Sequence, residues 1–288
     1  MRAKAELISM AIFVLSSLLA ILLAVAIYNS EPSSYAHRSP TYGIGYVFIY
    51  IIAAFLFSFV IIYLGRKRRL RIFRVIYSIV VAYVIFYVFL ILLSIFLYNV
   101  YVIFAASIAI AMIFFYLMLF RNEWYITDSA GFFLSVGISS IWGITFGVWA
   151  AVAFLVAFEI YDYIAVYKTK HMISLARYAV DSDLPMLFVL PENRGFSMRG
   201  LTFDNRGEGN VLMIGFGDIA LPSIMVVSSA IYGIAHILFF TLLPLVGGLV
   251  GMAVLYFWNR DRPAPGLPYI NTGTIVGFLI AFLVFRVF

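Results

Sequence analysis

Hydrophobic residues occur along this chain in long blocks separated by short polar breaks. About 20 apolar residues suffice to carry a helix across the hydrocarbon core of a bilayer. Nine such spans can be read. Residues 7–28, 44–64, 75–98 and 101–120 form four clear blocks. The next block, Gly131–Tyr167, has 37 residues, roughly 55 Å if helical and too long for one crossing. It divides near Gly143–Gly147 into a short fifth span and a sixth ending at Tyr167. Val211–Trp258 has 48 residues and divides near Thr241–Pro244, since proline breaks a helix ladder. The ninth span runs from about Pro268 to Val287. The one long hydrophilic segment is Lys168–Asn210. In it Met172–Val180 reads as an interfacial amphipathic helix, and Met186–Leu190, between two prolines, reads as a short strand. Gly200–Phe203 and Val211–Ile214 are further strand candidates.

The pattern predicts an all-α polytopic membrane protein in three parts: a six-helix half over 1–167, a cytoplasmic loop over 168–210, and a three-helix half over 211–288. Composition agrees, with 11% charged residues where a soluble domain has about one quarter. The first block, with Arg2 and Lys4 before it, is longer than the apolar core of a signal peptide and reads as an uncleaved first span. Trp124, Trp142, Trp149 and Trp258 fall near predicted span ends, as an aromatic belt would place them.

Charge sets the orientation. If loops alternate between two sides, 17 of the 19 lysines and arginines fall on the side of the N-terminus. Only Arg38 and Arg286 fall opposite. The positive-inside rule makes the first side cytoplasmic, with the N-terminus inside and the C-terminus outside. An integral, multi-pass protein of the cell membrane is expected. The net charge of +6 therefore belongs to helix ends and does not point to nucleic acid. With no cysteine, disulfides, zinc–thiolate sites and thiol catalysis are excluded. No metal or cofactor is implied.

Of the 13 acidic residues, three fall inside the predicted apolar runs: Glu159, Asp162 and Asp218. A carboxylate in lipid persists when it is paired, wetted or used. Asp162 lies six residues before Lys168 on a span running inward, so roughly 9 Å below the cytoplasmic boundary. Asp218 lies eight residues after Asn210 on the next span, running outward, so roughly 12 Å deep. Topology thus brings two carboxyls to similar depth on adjacent helices. Such a pair suits aspartic-protease chemistry: two close carboxyls cannot both ionise cheaply, so one takes a proton from water while the other polarises the scissile carbonyl. Gly215 and Gly217 allow close backbone approach to that centre and are expected to adopt unusual backbone dihedrals there.

Three motifs then give a resemblance. Tyr161-Asp162, Gly215-Phe216-Gly217-Asp218 and Pro265-Gly266-Leu267-Pro268 resemble the YD, GxGD and PAL motifs of the presenilin and signal-peptide-peptidase family. In that family they lie on the sixth span, on the seventh, and before the ninth. Order, spans and N-in orientation match presenilin over essentially the whole chain, and the compact loop looks most like that of an archaeal homologue. The resemblance implies an intramembrane aspartyl protease with catalytic Asp162 and Asp218. It implies that Tyr161, Gly215, Phe216 and Gly217 shape the site and that Pro265–Pro268 receives substrate. It also implies transmembrane peptides or single-span proteins as substrates within the bilayer, with homo-oligomerisation left open. Glycine at 266 departs from the family's alanine.

Blander readings stand beside these. Glu159 is read as a structural partner and His236 as a satisfied interhelical histidine. The cluster Arg66–Arg74 is an orientation determinant with an option on anionic lipid. The spacings Gly143/Gly147 and Gly247/Gly251 mark close helix packing. The rival function is a proton-coupled transporter, in which intramembrane carboxylates are common. Such carriers often have two related halves, and no internal repeat is legible here.

Overall fold

The computed structural model describes residues 2–30, 49, 70–121, 123–168, 187–191, 211–258 and 264–285. The predicted second span (44–64), the amphipathic helix at 172–180 and the strand candidate at 200–203 lie outside the described residues. Eight helices appear among those described: α1 (Arg2–Ser30), α2 (Leu70–Phe96), α3 (Val100–Phe120), α4 (Trp124–Phe146), α5 (Val148–Tyr163), α6 (Phe216–Tyr232), α7 (Ile237–Trp258) and α8 (Leu267–Phe285). All but α6 are long and apolar enough to cross a membrane. Two short strands, β1 (Leu187–Pro191) and β2 (Val211–Gly215), form an antiparallel hairpin.

Helix α6 is the hub. It packs against α1, α4, α5, α7 and α8, and only a few of its residues escape burial. A helix apolar all round belongs in such a position. At 17 residues it spans roughly 26 Å, less than the hydrocarbon core. Strand β2 leads directly into it, so the predicted seventh span is a strand feeding a helix, and the strand candidate at Val211–Ile214 is borne out. Hydroxyl groups tie the hub together, as is usual where lipid removes the hydrophobic drive between helices. Ser17 and Ser223 share a hydrogen bond of 2.8 Å between α1 and α6. Ser139 of α4 donates to the Ala220 carbonyl at 2.9 Å.

The breaks between helices have identifiable causes. Between α4 and α5 the chain turns at Gly147, with φ 71 and ψ 158, a region open essentially to glycine alone. This bears out the division near Gly143–Gly147. The fifth span, however, is not short: α4 begins at Trp124 and runs for 23 residues. The predicted division at Thr241–Pro244 is wrong. The chain breaks at Gly233, against which the Phe240 ring packs, and passes through a 3-10 turn (Ile234–His236) into α7. Pro244 lies inside α7. Proline removes the helical donor to the carbonyl four residues back, here Phe240, and the Ser229 hydroxyl of α6 donates to that carbonyl at 2.6 Å instead.

Helices α7 and α8 press backbone to backbone. A Cβ on Gly247 would meet the Gly273 carbonyl, one on Gly251 the Tyr269 carbonyl, and one on Gly277 the Leu243 carbonyl. The partners advance in opposite directions, so the pair is antiparallel. The glycine spacing at 247 and 251 thus serves intrachain packing. Gly143 likewise lies against Val227 of α6. At the periphery α2 and α3 form a hairpin. Asn99 accepts from the N–H groups of Tyr101 and Val102 at the start of α3, and Arg74 donates to the Met118 carbonyl at its end, at 2.9 Å. Of the predicted arginine cluster, Arg74 is therefore a helix-end partner. Gly247→Val should overpack the α7–α8 seam and destabilise the fold by about 1–3 kcal/mol. A lower melting temperature in detergent is the expected reading, and an unchanged one would contradict the packing.

Candidate active site

Asp162 is 3% exposed near the end of α5, where the helix loosens into a π turn (Ile164–Lys168). Such turns recur at functional sites. Its Oδ2 accepts from the Leu267 N–H at 3.2 Å, and its carboxyl also takes a backbone hydrogen bond from Gly266. Leu267 is the first residue of α8. Asp162 thus caps a helix N-terminus from outside, where unpaired N–H groups and the helix dipole favour an anion. Pro268, in that first turn, gives up a donor the helix does not use.

Asp218 is half-buried in the first turn of α6. Its carboxyl accepts a hydrogen bond from the N–H of Gly215, the N-cap residue. This is the return arm of a capping box, in which an acidic side chain at the third helical position reaches back to the cap. The spacing of Gly215 and Asp218 therefore has a local cause. The other end of the same carboxyl faces Gly266: a Cβ there would sit 3.2 Å from its Cγ and 3.3 Å from either oxygen. Consecutive residues Gly266 and Leu267 touch both carboxyls. The Pro265–Pro268 turn, Asp162 and Asp218 are brought to one place.

The remaining predicted residues divide. Phe216 is buried, with its ring 4.7 Å from Phe188 of β1 and against Gly131 of α4, so it locks the hairpin to α6. A Cβ on Gly217 would meet nothing within 4 Å, so open space borders Asp218 there. Neither Gly215 nor Gly217 has a positive φ; among the described glycines only Gly147 does. Their use here is close approach and space, and the expectation of unusual dihedrals is corrected. Tyr161 lies half-buried beside Phe158, with ring centroids 6.2 Å apart. Glu159 hydrogen-bonds to Thr272 of α8 and so links α5 to α8. His236 is exposed, stacked on Phe285 at 4.8 Å at the far end of α6, and is not a buried interhelical group.

The sequence reading missed Asp128. It lies inside α4, half-buried, and accepts from the Val189 N–H of β1 at 2.8 Å. The signal was a carboxyl on a helix four residues after Trp124, hidden because the fifth span had been started at Gly131.

The chain matches the family model described as signal-peptide peptidase, presenilin aspartyl protease over residues 10–287. Two solved structures of a presenilin family intramembrane aspartate protease are similar to it. One, in a C222 space group, is 26% identical, with TM-score 0.65 and 96% of each chain covered. The other, in a P2 space group, is 27% identical, with TM-score 0.62, covering 94% of this chain and 96% of that one. A search of curated protein sequences finds no match. The family is one of proteases, and nothing in these matches supports a transporter. The chain belongs to the signal-peptide-peptidase and presenilin family: it is a multi-pass membrane protein and an intramembrane aspartyl protease that acts on transmembrane substrates within the bilayer.

Proposed function

We propose that Asp162 and Asp218 are the catalytic pair and that peptide bonds are cut by a water activated between them. The observation that carries this is the turn at Gly266–Leu267, whose two residues contact both carboxyls. Of two carboxyls so close, one is charged and one neutral in the working state. The charged one takes a proton from water, which attacks the scissile carbonyl. The neutral one donates to the carbonyl oxygen, and no covalent intermediate forms. Tyr161, Gly215, Phe216 and Gly217 shape the site, the gap beside Gly217 admitting substrate. The Pro265–Pro268 turn holds one edge of the substrate.

A transmembrane helix hides its own amide bonds and has to unwind before attack. Strand β2 runs straight into the Asp218 turn, and its edge away from β1, with no strand beside it among the described residues, offers backbone partners for an opened segment. We read the hairpin as the place where the unwound substrate adds a strand.

The whole chain is read as nine spans in the cell membrane, with six-helix and three-helix halves joined by a cytoplasmic loop, N-terminus inside and C-terminus outside. The split of basic residues, 17 of 19 on one side, motivates this. The site has a hand, so a fixed orientation selects substrates running one way. Single-span proteins with the N-terminus outside, cut near the cytoplasmic side, are the preferred class. An accessibility tag on the C-terminus should label from outside. A cytoplasmic C-terminus would reverse the preference.

Purified protein incubated with a transmembrane peptide should cleave it. Asp162→Ala or Asp218→Ala should each reduce cleavage by about 10²–10⁴-fold, the scale of general acid–base catalysis, while leaving the fold intact. Cleavage surviving both changes sinks the assignment. The rate should be bell-shaped in pH, since one group has to be charged and the other neutral. A single sigmoid rising with pH would point to another mechanism.

A further inference from the structure

Asp128 has no part in the two-carboxyl chemistry, yet it places a carboxyl inside a membrane helix, where such groups are expensive and usually functional. Its bond goes to the backbone of a distant segment, the Val189 N–H of β1, at 2.8 Å. What this bond does follows from accounting for the hairpin's backbone groups. Val189 lies opposite Met213, Leu187 opposite Gly215 and Pro191 opposite Val211. In an antiparallel ladder, opposed residues alternate between pairs that exchange both hydrogen bonds and pairs whose N–H and C=O point away from each other. Val189 gives its N–H to Asp128, Gly215 gives its N–H to Asp218, and Pro191 has none to give. These three pairs are therefore the outward-pointing ones. The hairpin is held by Phe188 with Ile214 and Leu190 with Leu212. It follows that Asp128 occupies the outer edge of β1. Met213 turns its N–H and C=O to the outer edge of β2, on the strand that leads directly to Asp218.

We infer that Asp128 is a positioning residue of the protease: by holding the Val189 N–H it blocks the edge of β1 and fixes the hairpin's register, so that an unwound substrate pairs with the edge of β2 through Met213. The inference rests on the strand-addition reading given above. Strand register slips in steps of two residues when the same face is kept inward, so loss of the pin is read as movement of the cleaved bond.

The test uses the full chain in lipid vesicles with a transmembrane peptide, the products mapped by mass spectrometry and KM measured alongside kcat. Asp128→Ala should raise KM by up to roughly ten-fold, the scale of one lost hydrogen bond, and add cuts displaced by two residues. Val189→Pro removes the donor instead of the acceptor and leaves the hairpin's own bonds in place. It should give the same products, and the double variant should be no worse than either single one. Asp128→Asn keeps an oxygen acceptor and should behave as the parent. Unchanged KM and an unmoved cut in Asp128→Ala or Val189→Pro overturn the inference. So does Asp128→Asn behaving like alanine. Should the alanine variant fail to fold, Val189→Pro and Asp128→Asn decide the matter alone. Met213→Pro separates the two levels, since it removes the outward N–H. If it leaves turnover intact, strand addition itself fails and the inference with it. If it impairs turnover while Asp128→Ala changes nothing, only the role of Asp128 is lost.

Discussion

Each carboxyl of the site is held by the backbone at a helix N-terminus, and most of the local architecture follows from that constraint. An isolated carboxylate cannot be left in hydrocarbon, and basic side chains are scarce at this depth. Backbone N–H groups at helix starts are the alternative, since they lack partners within their own helix and carry the positive end of its dipole. Asp162 uses the first N–H of α8, across 105 residues of sequence. Asp218 uses the N-cap of its own helix. Both helices therefore begin inside the protein, level with the carboxyls. The segments that lead to them are non-helical at that level: β2 before α6 and the Pro265–Gly266 turn before α8.

Non-helical backbone at membrane depth survives only where protein or water covers it. This explains why the hairpin is tied so firmly. Phe188 and Phe216 lock it to α6, and Asp128 holds its outer strand to α4. The hydroxyl bonds from α1 and α4 into α6 keep the hub rigid behind the site. Among the described residues, the edge of β2 has no neighbouring strand, and the strand leads to the open space at Gly217.

The two aspartates are legible because charge in an apolar run is conspicuous, and the Gly215–Asp218 spacing through its motif, whereas the capping bond behind that spacing appears only in the structure. Gly147 was legible because a long block has to break and glycine permits the dihedrals. Both strands of the hairpin were readable from short apolar runs near prolines and glycines. Pro244 misled because its penalty is removed by Ser229, a tertiary bond that no local pattern reveals. The start of α4 misled because its first turns, Trp124–Ser129, are polar enough to pass for a loop, and Asp128 was lost with them. The Gly233 break was invisible because the packing of Phe240 makes it.

Gly266 shows where a motif read as letters falls short of one read as contacts. Alanine to glycine is a small change, and the turn is indeed present, with the Gly266 carbonyl accepting from Ile270 at 3.2 Å to start α8. Yet residue 266 is the one whose Cα faces Asp218 while its neighbour donates to Asp162. A methyl group there would stand 3.2–3.3 Å from the Asp218 carboxyl, closer than most side-chain contacts. Either the turn or the carboxyl would have to give by a few tenths of an ångström, and the carboxyl is already held by Gly215 on its other side. In this chain glycine at 266 therefore helps to set the gap between the two carboxyls. In the proposed mechanism the width of that gap decides whether one water can reach both.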